Sequence, residues 1–402
     1  MQKIVEQVEE KVESIISRVK GTVVQRHSTY EHVDDEKDAD AVAWTFINHH
    51  KMKKYPYKFP ALKPDECRVK VLYSGLCHTD CSFAEEHWFP TGQYPFAPGH
   101  EVVGIVTHVG SDVKNLKVGD RVGYGGKRQS CEKCEFCLKG ANNLCQGEVD
   151  QKESYGEKYW GGYNTHIQHP AQWLFKIPES LPSDKVAPLM CAAVTCYAPI
   201  ARMVKPGDSV AVLGMGGLGH MGVKIAKAWG CKVTAFTSNE DKVDIVQELC
   251  KPDKVVHITD DSLKEEKNKY DFVLNTITIS YDGFDRLLEL TKPLGSFCQV
   301  GLPAKSNKTS IWAGTLIFYQ INFVGSMYGS RDEVRNTLDF CAKHNILPDC
   351  EFYDFNDFPR AYERVLKENP IFRCVVKCKD YLPEKTAEAG SETTTQTSNV
   401  GI

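Results

Sequence analysis

Apolar positions recur along this chain with two different periods, and the change of period marks its organisation. Val5, Val8, Val12, Ile15 and Val19 stand at 3-4-3-4 spacing in MQKIVEQVEEKVESIISRVK (1–20), the stripe of an amphipathic helix with a heptad seam. The stripe covers only about three heptads, short for a coiled coil. It predicts a helix that lies on its own body or docks onto another chain. A charged link, HVDDEKDAD (32–40), follows. From about Ala41 short strands and Gly- and Pro-rich turns are expected, up to a strand at Trp173–Ile177. One of these strands starts with the apolar run Val102–Val106.

Beyond Pro206-Gly207-Asp208 the texture changes. SVAVLG (209–214), KVTAFT (232–237), KVVHI (254–258), DFVLNTI (271–277), SFCQVG (296–301) and INFVGS (321–326) read as strands, and a helical stretch reaches Trp229. The first of these strands are separated by helix-like segments. Such alternation predicts a parallel, doubly wound α/β sheet. The last stretch, KTAEAGSETTTQTSNVGI (385–402), is polar and small-residued and predicts a disordered tail.

Composition narrows the function classes. The chain has 402 residues, 42% hydrophobic and 25% charged, enough for two or three domains with a sizeable core. A net charge of -4 argues against nucleic acid as the partner. The longest apolar run, Ala187–Ala201, is broken by Pro188 and Pro199, so no membrane span is expected. The first residues alternate acid and base, unlike a secretory signal or a transit peptide. A cytoplasmic protein is therefore expected, with Asn307-Lys308-Thr309 unglycosylated and the 16 cysteines serving as thiols and metal ligands rather than disulfides.

SCEKCEFCLKGANNLC (130–145) holds Cys131, Cys134, Cys137 and Cys145 at x2, x2, x7 spacing. Four thiolates so placed can wrap one tetrahedral zinc ion. The polar loop has too little apolar surface to order itself, so a metal staple explains it. The short bacterial iron–sulfur pattern expects its last cysteine three residues on, followed by Pro. A closed four-thiolate site keeps no open position, so this zinc is expected to be structural.

APGHEVVGIV (97–106) sets His100 and Glu101 at the mouth of a predicted core strand. Charge there costs free energy unless something pairs with it or binds it. Cys77 and Cys191 are candidates, but sequence spacing alone does not unite residues so far apart. Taken singly, Cys191 reads as a core thiol and His100 as a hydrogen-bonded core histidine.

GLCHTD (75–80), APGHEVVG (97–104), GDRVG (119–123), the four-cysteine loop, APLMCA (187–192) and VLGMGGLGHMG (212–222) stand in one order. In this the chain resembles the zinc-dependent medium-chain alcohol dehydrogenases. With GMGGLGH and the RCVVK ending (373–377) it is most similar to their cinnamyl alcohol dehydrogenase-like subgroup. The resemblance covers roughly residues 42–380. It implies a Rossmann doubly wound parallel-sheet domain plus a mainly β, GroES-like catalytic domain. The expected parts are a helical extension and linker (1–40), a catalytic domain in two pieces (41–191 and 328–380), a Rossmann domain (192–327) and the tail (381–402).

The resemblance further implies that Cys77, His100 and Cys191 ligate a catalytic zinc. Glu101 either coordinates when water leaves or acts as a nearby carboxylate that eases ligand exchange. Thr79 matches the hydroxyl that hands the alcohol proton onward, and His78 approaches the cofactor pyrophosphate. Many relatives carry a histidine five residues after the first cysteine ligand; this chain has Ser82, which passes a proton but cannot store one near neutral pH. Cys196 reads as core. Trp88 and Phe89 line the pocket or simply pack. Val300, Gly301, Gly325 and Ser326 join the cofactor-binding set. Two zinc ions per subunit and a homodimer complete the expectation, with the N-terminal helix open to a further protein partner.

Gly214, Gly216, Gly217, Leu218 and Gly219 follow a predicted strand and open a predicted helix. In this context the glycines let a helix N-terminus approach a pyrophosphate. A carboxylate at the end of the next strand would select NAD. Here stand Thr237, Ser238 and Asn239, with Lys242 beyond, groups able to hold a 2′-phosphate, which predicts NADP(H). Glu240 and Asp241 weaken that expectation. The activity expected is hydride transfer between NADP(H) and an alcohol/aldehyde pair, aromatic or medium aliphatic. The contrasting readings are a zinc-free quinone reductase, which the intact ligand set disfavours, and an interaction protein that keeps the enzyme fold.

Overall fold

Short β-branched and aromatic runs separated by turns build the first part of the chain. The computed structural model describes residues 29–48, 51–87, 94–156, 158–278, 283–367 and 370–381. The helix predicted at 1–20, the tail predicted at 385–402, and Trp88 with Phe89 lie outside these residues. Strands β1 (Glu31–His32), β2 (Ala41–Asn48) and β3 (Lys51–Lys58) form a small antiparallel sheet in the order β1-β3-β2. β4 (Glu66–Leu76), β5 (Val102–Val109), β6 (Arg121–Tyr124), β7 (His166–Pro170) and β8 (Phe175–Lys176) pair antiparallel in a second sheet. The predicted strand at Trp173–Ile177 is shorter here because Ala171–Trp173 closes into a 3-10 turn.

The second part alternates strand and helix. β9 (Ser209–Leu213), β10 (Lys232–Thr237), β11 (Lys254–His257), β12 (Tyr270–Asn275), β13 (Thr291–Gln299) and β14 (Asn322–Gly325) lie in the order β11-β10-β9-β12-β13-β14. All neighbours are parallel. Val210–Leu213 and Val233–Thr237 are buried throughout, as strands covered on both faces must be, which is why the first reads as a continuous apolar run and the second carries only threonine among its apolar residues. The strand order reverses between β9 and β12, the switch point where such sheets bind ligands beyond the strands' carboxyl ends. β13 starts at Thr291, ahead of the predicted Ser296, and a register shift between Tyr270 and Phe272 accommodates the extra residues.

β15 (Cys350–Asp354) and β16 (Arg373–Lys377) carry the chain back to the second sheet, whose order is β15-β16-β4-β5-β6-β8, with β7 paired along β4. β16 therefore lies beside β4, next to the strand that follows His100 and Glu101. Among the described residues no single helix is long and apolar enough to cross a membrane. The bent pair Ser183–Met190 and Ala192–Met203 has the composition for it, but Ala192–Ile200 is buried in the core with Val210, Val212 and Leu274.

Candidate active site and its two cysteine clusters

The end of β4 delivers Cys77, the N-cap residue of helix α1 (His78–Ala84). His100 and Glu101 precede β5, and Cys191 precedes helix α2 (Ala192–Met203). The fold brings these four buried residues together, with one ligand atom from each lying within 4.8 Å of the others. His100 Nε2 is 3.3 Å from Cys191 Sγ, and its Nδ1 is 2.9 Å from Asp80 Oδ1. Asp80 is itself fixed. It accepts from the Tyr163 hydroxyl at 2.5 Å, the Gly99 N–H at 3.1 Å and the Cys77 N–H at 3.3 Å. A carboxylate so held orients the imidazole and leaves Nε2 facing the sulfurs. Burial lowers the His100 pKa, but the Asp80 carboxylate outweighs it and holds the pKa well above the ordinary value. The Cys191 thiol, then His100 and Arg373, hold the Cys77 thiol well below its ordinary range against burial. Cys191 is pushed correspondingly upward.

Glu101 is fully buried, and its Oε1 meets the Arg373 guanidinium of β16, 272 residues away in sequence. Its Oε2 is buried with no hydrogen-bond partner. Burial raises the carboxyl's pKa and Arg373 opposes the rise. Two sulfurs, one imidazole nitrogen and a carboxylate oxygen free of other bonds are a donor set that fits zinc with a replaceable fourth position.

Cys131, Cys134, Cys137 and Cys145 form the other cluster, again with sulfurs within 4.8 Å of one another. The Cys131 N–H donates to Cys145 Sγ at 3.2 Å and the Cys134 N–H to Cys131 Sγ at 3.3 Å. Backbone N–H groups of Cys137 and Gln146 lower the Cys134 pKa to about 5, while burial pushes Cys137 up to about 12. The lobe exposes Leu138 (75%) and Leu144 (42%), so it has no core of its own. Its donors fit a closed four-thiolate zinc.

The glycine-rich loop runs from β9 into helix α3 (Gly219–Ala228). Gly214 has φ +88°, and a Cβ on Gly219 would come 1.9 Å from the Gly214 carbonyl oxygen; only glycine serves at either place. The space over Gly216 is open, and a Cβ on Gly217 would lie 2.3 Å from Arg373 Nη1. Arg373 thus stands between Glu101 and the loop. Val300 and Gly301 both donate their N–H to the Asn275 carbonyl, at 3.0 and 3.1 Å, beyond the end of β13. Gly325 ends β14 and Ser326 follows it, with its Oγ buried without a partner. These positions share the carboxyl edge of the parallel sheet with the loop; the backbone N–H groups of Val300, Gly301 and Ser326 are already bonded within the sheet, and the Ser326 hydroxyl is the group left free for a ligand.

Other expected residues are placed less directly. The buried Thr237 commits its hydroxyl to the Asn239 backbone at 3.2 Å. Ser238, Asn239, Glu240 and Asp241 are exposed, and Lys242 is buried with its Nζ 3.5 Å from the Met215 carbonyl. His78 is exposed, and Thr79 Oγ1 lies 3.4 Å from Cys77 Sγ. Ser82, one turn along α1, is 5% exposed. Cys196 is buried in the core.

The sequence reading passed over Asp80, Arg373, Tyr163 and Tyr155, whose ring lies 6.0 Å from that of His100. Two of these left a trace. Asp80 stands three residues after Cys77, the spacing of a helix-capping pair. Arg373 is a cation entering an apolar strand, and such a charge needs a partner.

Comparison with known proteins agrees with this architecture. Residues 63–179 match the family model of the alcohol dehydrogenase GroES-like domain, and residues 217–343 match that of the zinc-binding dehydrogenases. The 8-hydroxygeraniol dehydrogenase of Catharanthus roseus is 37% identical over 317 residues, covering 77% of this chain and 87% of that protein. Among solved structures, a cinnamyl alcohol dehydrogenase of Sorghum bicolor superposes with a TM-score of 0.80 at 32% identity, over 84% of this chain and 97% of its own. A cinnamyl alcohol dehydrogenase from Helicobacter pylori, in complex with NADP(H), gives 0.78 at 30% identity, over 85% and 98%.

Proposed function

Since the chain belongs to the zinc-dependent medium-chain alcohol dehydrogenase family, in its cinnamyl alcohol dehydrogenase-like branch, we propose that it interconverts aldehydes and alcohols with NADP(H), preferring aromatic or medium aliphatic aldehydes. The observation that carries this is the meeting of Cys77, His100, Glu101 and Cys191 within 4.8 Å, with Arg373 joining them to the glycine-rich loop.

Cys77, His100 and Cys191 would hold one zinc and the four-cysteine lobe a second. Bound zinc polarises the substrate oxygen and steadies the charge that develops on it. NADP(H) supplies or takes up the hydride. Asp80 keeps the imidazole aimed, and Glu101 keeps a carboxylate oxygen beside the ligands. The Thr79 hydroxyl, 3.4 Å from Cys77 Sγ, would receive the alcohol proton and Ser82 would pass it on. Serine passes a proton along a hydrogen-bond chain but cannot store an extra one near neutral pH, so water would complete the path and the relay would be slower. Preference for NADP(H) is supported by Ser238 and Asn239 at the strand end, by the outward position of Glu240 and Asp241, and by the NADP(H) complex of the Helicobacter relative. The many thiols suit the reducing cytoplasm.

A homodimer is supported by the edge of the parallel sheet. β14 is one of the two edge strands and exposes Phe323 (39%), and Trp312 (65%), Ile317 (70%) and Phe318 (74%), at the start of and within the helix Ala313–Tyr319 just before it in the chain, are exposed. An open edge beside an apolar patch calls for a cover, and a second copy of the same edge provides one.

The test is turnover of the purified full chain against an aldehyde series with NADPH and NADH. We expect kcat/KM for aromatic aldehydes to be at least about tenfold higher with NADPH. Equal rates with NADH would remove the cofactor assignment, and no turnover of any aldehyde would remove the reading as a whole.

A further inference from the structure

The four-cysteine lobe carries polar side chains with a task beyond holding metal. Asn142 and Asn143, between Cys137 and Cys145, are buried, although the loop around them exposes leucines. Asn142 Oδ1 accepts the Arg331 N–H at 3.0 Å, and Asn143 Nδ2 donates to the Met327 carbonyl at 2.9 Å. Glu132, between Cys131 and Cys134, pairs with the Arg331 guanidinium. All three grip one short segment, 327–331, where the chain leaves β14 and enters helix α4 (Arg331–His344).

That segment is fitted closely on its other side. Ser330 and Glu333 cap α4 reciprocally, and the Glu333 carboxylate takes Arg202 of α2 through two contacts of 2.6 Å. A Cβ on Gly329 would come 2.7 Å from Val194 Cγ1, three residues past Cys191. Tyr328 has φ 52°, a left-handed conformation that a bulky residue keeps only when its surroundings impose it. Its ring is buried. A Cβ on Gly125 would lie 2.0 Å from the Tyr328 hydroxyl oxygen and 2.2 Å from the Met190 carbonyl oxygen. The Tyr328 hydroxyl and the Met190 carbonyl, which leads into Cys191, thus both close on Gly125.

We infer that the lobe is a positioning element for the Cys77–His100–Cys191 site: Asn142, Asn143 and Glu132 hold segment 327–331, and with it the Tyr328 side chain, against the backbone on either side of Cys191. This rests on the alcohol dehydrogenase reading of that site. The lobe then affects how substrate is accommodated as well as stability. Release of the clamp lets Tyr328 leave its strained conformation and widens the wall beside Cys191.

The test uses the full chain carrying Asn142→Ala with Asn143→Ala. It measures amide exchange at 327–331, zinc content, and KM and kcat for small and aromatic aldehydes. Zinc content is expected to stay at the wild-type value. Exchange at 327–331 is expected to rise about tenfold or more. KM for aromatic aldehydes should change about fivefold while kcat stays within about twofold. Unchanged exchange and unchanged KM with zinc retained would overturn the inference. Should the double variant lose lobe zinc, Glu132→Gln is read the same way: about a threefold rise in exchange supports the clamp, and none overturns it. Failure of the wild-type chain to turn over any aldehyde would sink the alcohol dehydrogenase reading instead, and the exchange measurement would still judge the clamp.

Discussion

Cys77, His100 and Cys191 come from three separate segments and meet under cover of Asp80, Tyr163 and Arg373, whereas Cys131, Cys134, Cys137 and Cys145 lie within one polar loop. The first cluster is assembled by the fold. Its sulfurs sit at the ends of elements that exist for other reasons, namely the end of β4 and the start of α2. The second cluster lies in a loop with exposed leucines and no core of its own, held to the body by Asn142, Asn143 and Glu132. One cluster has a spare buried carboxylate oxygen on Glu101; the other has four sulfurs and nothing to exchange. On the proposed reading, similar ligand chemistry would serve reactivity in one place and architecture in the other.

The comparison breaks most sharply at Cys191. Cys191→Ala is expected to lower turnover by about a thousandfold or more, with the thermal midpoint moving by only a few degrees, measured by steady-state kinetics beside calorimetry. Cys137→Ala should do the opposite first. Loss of the closed site lowers the thermal midpoint by about 10 °C, and turnover measured well below that midpoint falls far less than in Cys191→Ala. Third, Arg373→Met strips the partner from a fully buried carboxylate. A loss of about 3 kcal/mol is expected in denaturant unfolding. Adding Glu101→Gln should recover part of it, and full additivity of the two changes would contradict the pairing. The smallest effect sharpens the comparison most. Asp80→Asn should weaken zinc retention at the Cys77 cluster about ten- to a hundredfold and leave the lobe's zinc alone, as read by chelator titration. Equal weakening at both sites would deny Asp80 its orienting role.

Local signals were legible in the chain and distant pairings were not. SVAVLG (209–214) covers β9, because a strand buried on both faces advertises itself as an unbroken apolar run, here Val210–Leu213. The lobe was legible because its four ligands fall within fifteen residues, from Cys131 to Cys145. The glycine loop was legible because close backbone approach demands glycine. Glu101 posed its own question as a charge at a strand mouth, but its answer, Arg373, is separated by 272 positions, and nothing in either local pattern names the other. Asp80 was hidden for a different reason: beside a cysteine and a histidine an aspartate looks like ordinary helix capping. The start of β13 was missed because Thr291–Gly295 contains Pro293 and Gly295, turn formers that a register shift here accommodates within a strand.

The central claim is that the buried Cys77–His100–Cys191 cluster holds a reactive metal distinct from that of the lobe. Zinc analysis of the fully loaded chain beside Cys191→Ala, each assayed with NADPH and an aromatic aldehyde, tests it most directly. The account predicts about two zinc ions per subunit with turnover in the parent, and about one with turnover lost in the variant. One zinc in both proteins, or full turnover in the variant, would contradict it.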